Sequence, residues 1–427
     1  MNQIHKIQTP YKTMFSEVDS GYVAHWGGSS LYSAFQPIYS LTLDRPIGFE
    51  ALVRGEDSLG KHILPAVIFD PTQSLDKIME IDEVSRLLHL LNFKKRKLKD
   101  TFLFLNLDPF LLDENLDGVN RLIENCHNID VKPENIVIEI IEKNTENYPL
   151  VQKAVQILKK EGFLIAIDDF GAGESNFNRV WDIQPNIVKL DREIVSTIRN
   201  KDHPHSIIAN LVKVLHQSSC IVLLEGIEEK IEASLAHLAD IDLLQGYFLG
   251  MPSRHSLELK NLTAPFSFDA DYFQTEKSVA SSQVPEELEL LFKQNAAACF
   301  DLSIPLVTSI KTLLDHPLVI RVYVLDAHGY QITKAENGVN AEKIIDRRFG
   351  VFSSYKHSNW SQRRYFKDAI HSPNRLQISS AYFSMIGFHM CITITLYINS
   401  GDSQFVFCCD IMTPEDAKKL NISSYSI

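Results

Sequence analysis

Leu164-Ile165-Ala166-Ile167-Asp168-Asp169-Phe170-Gly171 sets four apolar residues directly before a pair of acids. An unbroken apolar run of this length reads as a strand buried on both faces, as in a parallel sheet. The acids at its carboxyl end lie where such sheets present reactive groups. The same pattern recurs on either side. Ile47-Gly48-Phe49 leads to Glu50, Phe102-Leu103-Phe104-Leu105 to Asn106, and Ile136-Val137-Ile138 to Glu139. Ile187-Val188 leads to Lys189, Ile221-Val222-Leu223-Leu224 to Glu225, and Leu243-Leu244 to Gln245. Successive polar positions lie 56, 33, 29, 21, 36 and 20 residues apart. Most of these intervals match one strand-plus-helix unit.

Helix-period segments fill the gaps, at 75–97, 116–126, 148–160, 205–217 and 228–238. Apolar strands alternating with helices imply a parallel sheet. A further run at 35–39 brings the strands to about eight, so the expected fold is α/β, a TIM-like (β/α)8 barrel. In such barrels the strand carboxyl ends converge on one face. Taken singly, each polar residue is better read as a strand end facing solvent. Seven in succession, rich in acids, are not. Carboxylates crowded at one mouth repel unless cations neutralise them, and Glu, Asp and Asn oxygens select hard divalent ions such as Mg2+ or Mn2+.

The rest of the composition sets limits. The chain has 427 residues, 45% hydrophobic and 22% charged, with a formal net charge of −12. Mean hydropathy is −0.07. This excludes a disordered, collagen-like or coiled-coil chain, and an acidic protein gains nothing from non-specific phosphate attraction, so no nucleic-acid partner is expected. Six cysteines without a CxxC or zinc spacing fit a reducing compartment. The first residues lack a basic segment followed by an apolar core, and no apolar stretch approaches 18 residues, so we expect a cytoplasmic protein without membrane insertion.

The motifs carry a resemblance. Phe35-Gln36-Pro37-Ile38, Phe49-Glu50-Ala51-Leu52-Val53-Arg54, Phe104-Leu105-Asn106-Leu107, Ile138-Glu139-Ile140-Ile141-Glu142, Ile167-Asp168-Asp169-Phe170-Gly171, Val188-Lys189-Leu190-Asp191, Glu225-Gly226-Ile227-Glu228 and Leu244-Gln245-Gly246-Tyr247 occur in this order. Together they resemble the EAL family of bacterial cyclic di-GMP phosphodiesterases. The resemblance implies hydrolysis of cyclic di-GMP to linear pGpG, assisted by two divalent ions. It implies metal ligation by Glu50, Asn106, Glu139, Asp168 and Asp169, with Asp168 bridging, and catalytic roles for Lys189 and Glu225. Arg54, Gln36, Leu52, Asp191 and Gln245 would line the substrate or second-metal side, and Glu142 would anchor the loop after Asp169. A homodimer is expected on the same ground. Glu174 stands where an aromatic residue is usual, and Gly55 follows Arg54 in place of a common Trp. A catalytically weak or inactive cyclic di-GMP receptor, or an interaction scaffold, are the alternatives on the same fold. The complete metal set favours the enzyme.

The division expected is an extension over 1–30, the barrel over 31–258, a linker over 259–284 rich in Ser, Asp, Gln and Pro, and a second domain over 285–427. That domain reads as one long amphipathic stretch at 286–314 followed by strands at 318–325, 376–383, 388–398 and 404–411. A helix leading into an antiparallel sheet resembles smaller α+β PAS/Cache-like sensory domains. By that resemblance Arg363, Tyr365 and Asp410 would hold a small zwitterionic or anionic ligand. Taken one at a time, Arg363 and Arg364 read as a solvated helix face, and Tyr365 and Phe366 as core.

Overall fold

The computed structural model describes residues 11–98, 100–112, 115–141, 148–172, 177–199, 205–254, 284–299, 306–346, 348, 358–361, 363–400 and 403–422. The linker expected over 259–284 falls outside this set apart from Val284, as do Glu142 and Glu174.

Two sheets are present among the described residues. The first holds β1 (Phe15–Val18), β2 (Gly21–Trp26), β3 (Ser29–Ser40), β4 (Arg45–Glu56), β5 (His62–Ile63), β6 (Phe102–Leu107), β7 (Ile136–Ile141), β8 (Leu164–Phe170), β9 (Ile187–Leu190), β10 (Ile221–Leu224) and β11 (Leu243–Leu244). Strands pair in the order β3-β11-β10-β9-β8-β7-β6-β4, and β3 pairs β4 as well, closing an eight-stranded barrel. Helices Leu75–Arg96, Asp117–Ile129, Tyr148–Lys160, His205–Gln217 and Lys230–Leu238 occupy the intervals where helical periodicity appears.

The barrel differs from an all-parallel one in one strand. β3 runs antiparallel to both β4 and β11. Only four residues, 41–44, join β3 to β4, with Asp44 in the left-handed region at φ 53°. A turn this short can only reverse the chain, because a parallel crossover needs a dozen residues or more. The lead-in also has structure: β1 and β2 form a hairpin that adds to β3 along Ala24–Trp26 and Ser29–Leu31.

The second sheet holds β12 (Val319–Asp326), β13 (Glu336–Asn337), β14 (Leu376–Ile378), β15 (Tyr382–Ser384), β16 (His389–Ser400) and β17 (Ser403–Met412). Its order is β13-β12-β17-β16-β14, antiparallel throughout, with β15 also on β16. Two expectations change here. The stretch at 286–314 is not one helix: Glu286–Ala298 is followed by separate short helices, Leu306–Ser309 and Lys311–Leu314. The strand at 376–383 is two strands. All six cysteines are buried free thiols, and no helix among the described residues is long and apolar enough to cross a membrane.

The core of the second sheet contains an ion pair. Arg321 Nε lies 2.5 Å from Asp410 Oδ2, with both side chains at most 2% exposed. Asp410 Oδ1 accepts from Thr393 Oγ1 at 2.7 Å and from Tyr323 OH at 3.3 Å, and the Tyr323 and Tyr365 hydroxyls lie 3.0 Å apart. Burial acts to lower the pKa of the guanidinium, but Asp410 outweighs it and holds that pKa well above the ordinary value. Asp410→Ala strands a buried cation. It should lower stability by about 3–5 kcal/mol, read as an earlier urea transition; a loss under about 1 kcal/mol would contradict the pairing.

Candidate active site

Period-two alternation decides which side chains enter the barrel. Val137 and Glu139 share a face of β7, Leu164, Ala166 and Asp168 a face of β8, and Ile187 and Lys189 a face of β9. Leu223 and Glu225 do so at β10, Leu243 and Gln245 at β11, and Phe102, Phe104 and Asn106 at β6. The apolar member of each set lies in one buried cluster inside the barrel. The polar members form the next layer toward the carboxyl ends. Register links them laterally: Gln36 opposite Glu50, and Asn106 beside Glu139.

Asp169 requires a departure from alternation, since in a regular strand it would face away from Asp168. The β8–β9 register shifts between Ile167 and Phe170, and Asp169 adopts φ 58°. Aspartate tolerates the left-handed region better than most residues. This irregularity brings the two adjacent carboxylates to one place, where Asp168, Asp169 and Glu225 each offer an oxygen within 4.8 Å of the others.

Lys189 stands at the centre. Its Nζ lies 2.6 Å from Glu139 Oε1, 2.9 Å from Asp168 Oδ1 and 2.6 Å from Glu225 Oε1, with the side chain 1% exposed. Burial disfavours the ammonium, but Asp168, Glu139 and Glu225 outweigh it and raise its pKa well above the ordinary value. The acids respond to the same burial. Glu139 is held well above the ordinary carboxylate range and Glu225 is pushed up to about 7, in each case by desolvation against the pull of Lys189. One ammonium among three carboxylates leaves two negative charges uncompensated when all are ionised. Glu139 is fully buried and its Oε2 has no hydrogen-bond partner. An orphaned buried carboxylate oxygen, beside oxygen donors drawn within 4.8 Å, fits a divalent cation.

A second set of contacts orients Glu50. Gln245 Nε2 donates to Glu50 Oε2 at 2.6 Å and Asn106 Nδ2 to Glu50 Oε1 at 3.3 Å. Gln245 Nε2 also reaches Gln36 Oε1 at 3.3 Å, and Gln36 donates to Gly250 O at 3.3 Å. Farther along β4, Leu52 and Arg54 share the half-buried face of Glu50, while Ala51 and Val53 are buried on the other. Arg54 Nη1 donates to Val53 O at 2.8 Å. Gly226 and Gly246 let the chain turn tightly past Glu225 and Gln245. A Cβ on Gly246 would lie 2.0 Å from Ile227 O, and one on Gly226, at φ 73°, would lie 2.4 Å from the Arg192 Cβ.

Not every expected residue joins the layer by a contact. Asp191 Oδ1 accepts from Glu193 N at 2.7 Å, so its carboxylate begins helix Arg192–Arg199. Tyr365 of helix Arg364–Ile370 and Asp410 of β17 come together through Tyr323, but their cation is Arg321. Arg363, which precedes that helix, instead reaches Asp240 and Asp242 of the barrel, at 2.8 and 3.5 Å. Arg321 was missed from the sequence. Its signal is a lone arginine inside Val319-Ile320-Arg321-Val322, which demands a buried counter-charge.

The family model described as EAL domain matches residues 27–252. Probable cyclic di-GMP phosphodiesterase PdeA of Escherichia coli (strain K12) is 32% identical over 150 residues, covering 34% of this chain and 20% of PdeA. The blue light- and temperature-regulated antirepressor BluF of the same strain is 27% identical over 215 residues, covering 50% of this chain and 52% of BluF. The chain thus spans about a fifth of PdeA and half of BluF. The uncharacterized EAL-domain containing protein YkuI of Bacillus subtilis (strain 168) is 23% identical over 359 residues, covering 79% of this chain and 83% of YkuI. The crystal structure of YkuI in complex with substrate c-di-GMP and calcium covers 90% of this chain and 96% of that one, at 20% identity and a TM-score of 0.49. With over half of its residues matched by the family model and the barrel closed around the motif residues, the chain belongs to the EAL-domain family.

Proposed function

We propose that this protein is a divalent-metal-dependent phosphodiesterase that hydrolyses cyclic di-GMP to linear pGpG, with residues 31–258 as the catalytic unit and 285–427 as a regulatory one. The observation that carries the reading is the convergence of Glu139, Asp168 and Glu225 on Lys189, with Asp169 turned back beside Asp168. Such a concentration of acids around one buried cation is costly to a fold that has no use for it. The name of PdeA supports cyclic di-GMP as the substrate.

Glu50, Asn106, Glu139 and Asp168 would hold one ion, and Asp168 with Asp169 a second. Bound there, Mg2+ or Mn2+ would supply Lewis-acid stabilisation of the phosphodiester and lower the pKa of water. The chain's own residues do the rest. Gln245 and Asn106 fix the Glu50 carboxylate from two sides. Lys189 offsets the repulsion that would otherwise scatter Glu139, Asp168 and Glu225. Glu225, near pKa 7, is matched to accept a proton from an attacking water at neutral pH. Arg54, on the Glu50 face of β4, provides a cation for a substrate phosphate.

Incubation with cyclic di-GMP and Mn2+ or Mg2+, with products separated by chromatography, should yield pGpG. Tight binding without turnover would leave the receptor reading. Glu50→Ala and Asp168→Asn should each lower turnover about 100-fold or more; full activity in either would remove that residue from the site.

Acidity should compete with the ions. The folded state favours protonated Glu225, so its contribution to stability is present below the ordinary value of 4.5 and lost as pH rises through about 7. Metal binding needs the ionised carboxylates. Added Mn2+ should therefore raise the melting temperature more at pH 8 than at pH 5.5. Equal shifts at the two pH values would contradict ligation by this cluster.

A further inference from the structure

The layer of acids rests on a floor, and part of that floor comes from the other sheet. Val137, Ala166, Ile187, Leu223 and Leu243 each lie two residues before a polar member of the site. They pack in one buried cluster with Phe383 and Met385, and Phe388 and Met390 lie against it. Phe383 and Met385 are each 1% exposed. They enter at the amino-terminal end of the barrel, opposite the strand ends that carry the acids. The Phe383 ring stacks on His216, with centroids 6.1 Å apart and planes at 26°.

A polar latch surrounds this plug. Arg363, 4% exposed, donates to Asp240 Oδ1 at 2.8 Å and lies 3.5 Å from Asp242 Oδ1. Asp242 Oδ2 pairs with His216 Nε2 at 2.7 Å and accepts from Val222 N at 3.0 Å. Val222 lies on β10, three residues before Glu225, so one carboxylate ties Arg363, at the start of helix Arg364–Ile370, to a strand of the site. Asn359 N donates to Thr42 O at 2.8 Å in the β3–β4 turn. Withdrawing Phe383 and Met385 would expose two large apolar side chains to water. It would also leave a void under a closely packed layer, which transmits strain because it cannot deform continuously.

We propose that the second sheet controls the affinity of the acid layer for divalent ions through this plug, with Phe383, Met385 and Arg363 as positioning residues for Lys189 and Glu225. Rearrangement of the second sheet then changes ion binding without touching the ligands. The inference rests on reading the carboxylate cluster as a metal site.

The test uses the full chain and reads two quantities besides activity. The first is Mn2+ binding by calorimetric titration. The second is amide hydrogen exchange over residues 187–190 and 221–224. Arg363→Ala, and Phe383→Ala with Met385→Ala, should weaken Mn2+ binding about tenfold and speed exchange in both segments. Arg363→Lys should recover part of the loss, and Arg364→Ala, on the outer side of the same helix, should change neither. Phe383→Leu, which keeps the space filled, stands in should the alanine variants unfold, and should show a smaller loss in the same direction. Folded variants with unchanged Mn2+ affinity and unchanged exchange would overturn the proposal. Wild-type chain that binds Mn2+ without hydrolysing cyclic di-GMP would sink the proposed reaction alone. A chain that binds no Mn2+ would overturn both.

Discussion

The site depends on one buried ammonium. Lys189 contacts Glu139, Asp168 and Glu225 within 2.9 Å, and without it three strand ends would carry like charges into one low-dielectric space. A buried pair of this kind contributes little net stability, because desolvation offsets most of the attraction. Its value is positional. The ammonium holds acids from β7, β8 and the end of β10 in one layer.

Two devices supply what a regular barrel could not. The irregularity at Asp168-Asp169 turns two consecutive residues to one side, which alternation forbids. The antiparallel β3 brings Gln36 opposite Glu50, so that Gln245, Gln36 and Glu50 form one hydrogen-bonded group across strands far apart in the chain. Both are local breaks in a repeating fold, and both sit at the site. A fold whose other strands obey the pattern can accommodate such breaks where chemistry needs them.

Much of the barrel was legible in the sequence because burial on both faces writes continuous apolar runs, each closed by a polar residue at the strand end. That pattern located Glu50, Asn106, Glu139, Asp168, Lys189, Glu225 and Gln245, and the structure aligns them in one layer. The antiparallel sense of β3 was not legible from the run at 35–39, since an apolar strand carries no sign of its direction; the four-residue turn before β4 was the available clue. In the second half the signal was weaker. Arg363 and Arg364 are adjacent, and nothing in their spacing told that Arg363 crosses to Asp240 and Asp242. Such a contact depends on how the two sheets meet, which no local pattern encodes. The Asp410 partner, Arg321, was readable from its apolar surroundings alone.

The plug and the latch bind the two sheets to one another at the end of the barrel remote from the acids. The barrel floor is therefore shared property: Phe383 and Met385 fill it as fully as the barrel's own Ile187 and Leu223. A second domain joined only by a linker would leave that floor to solvent or to its own side chains. Anomalous diffraction from crystals grown with Mn2+ would show whether the acid layer is a divalent-metal site. Two peaks should stand among Glu50, Asn106, Glu139, Asp168 and Asp169; no peak there, with Lys189 still bridging the three carboxylates at saturating Mn2+, would rule the metal site out.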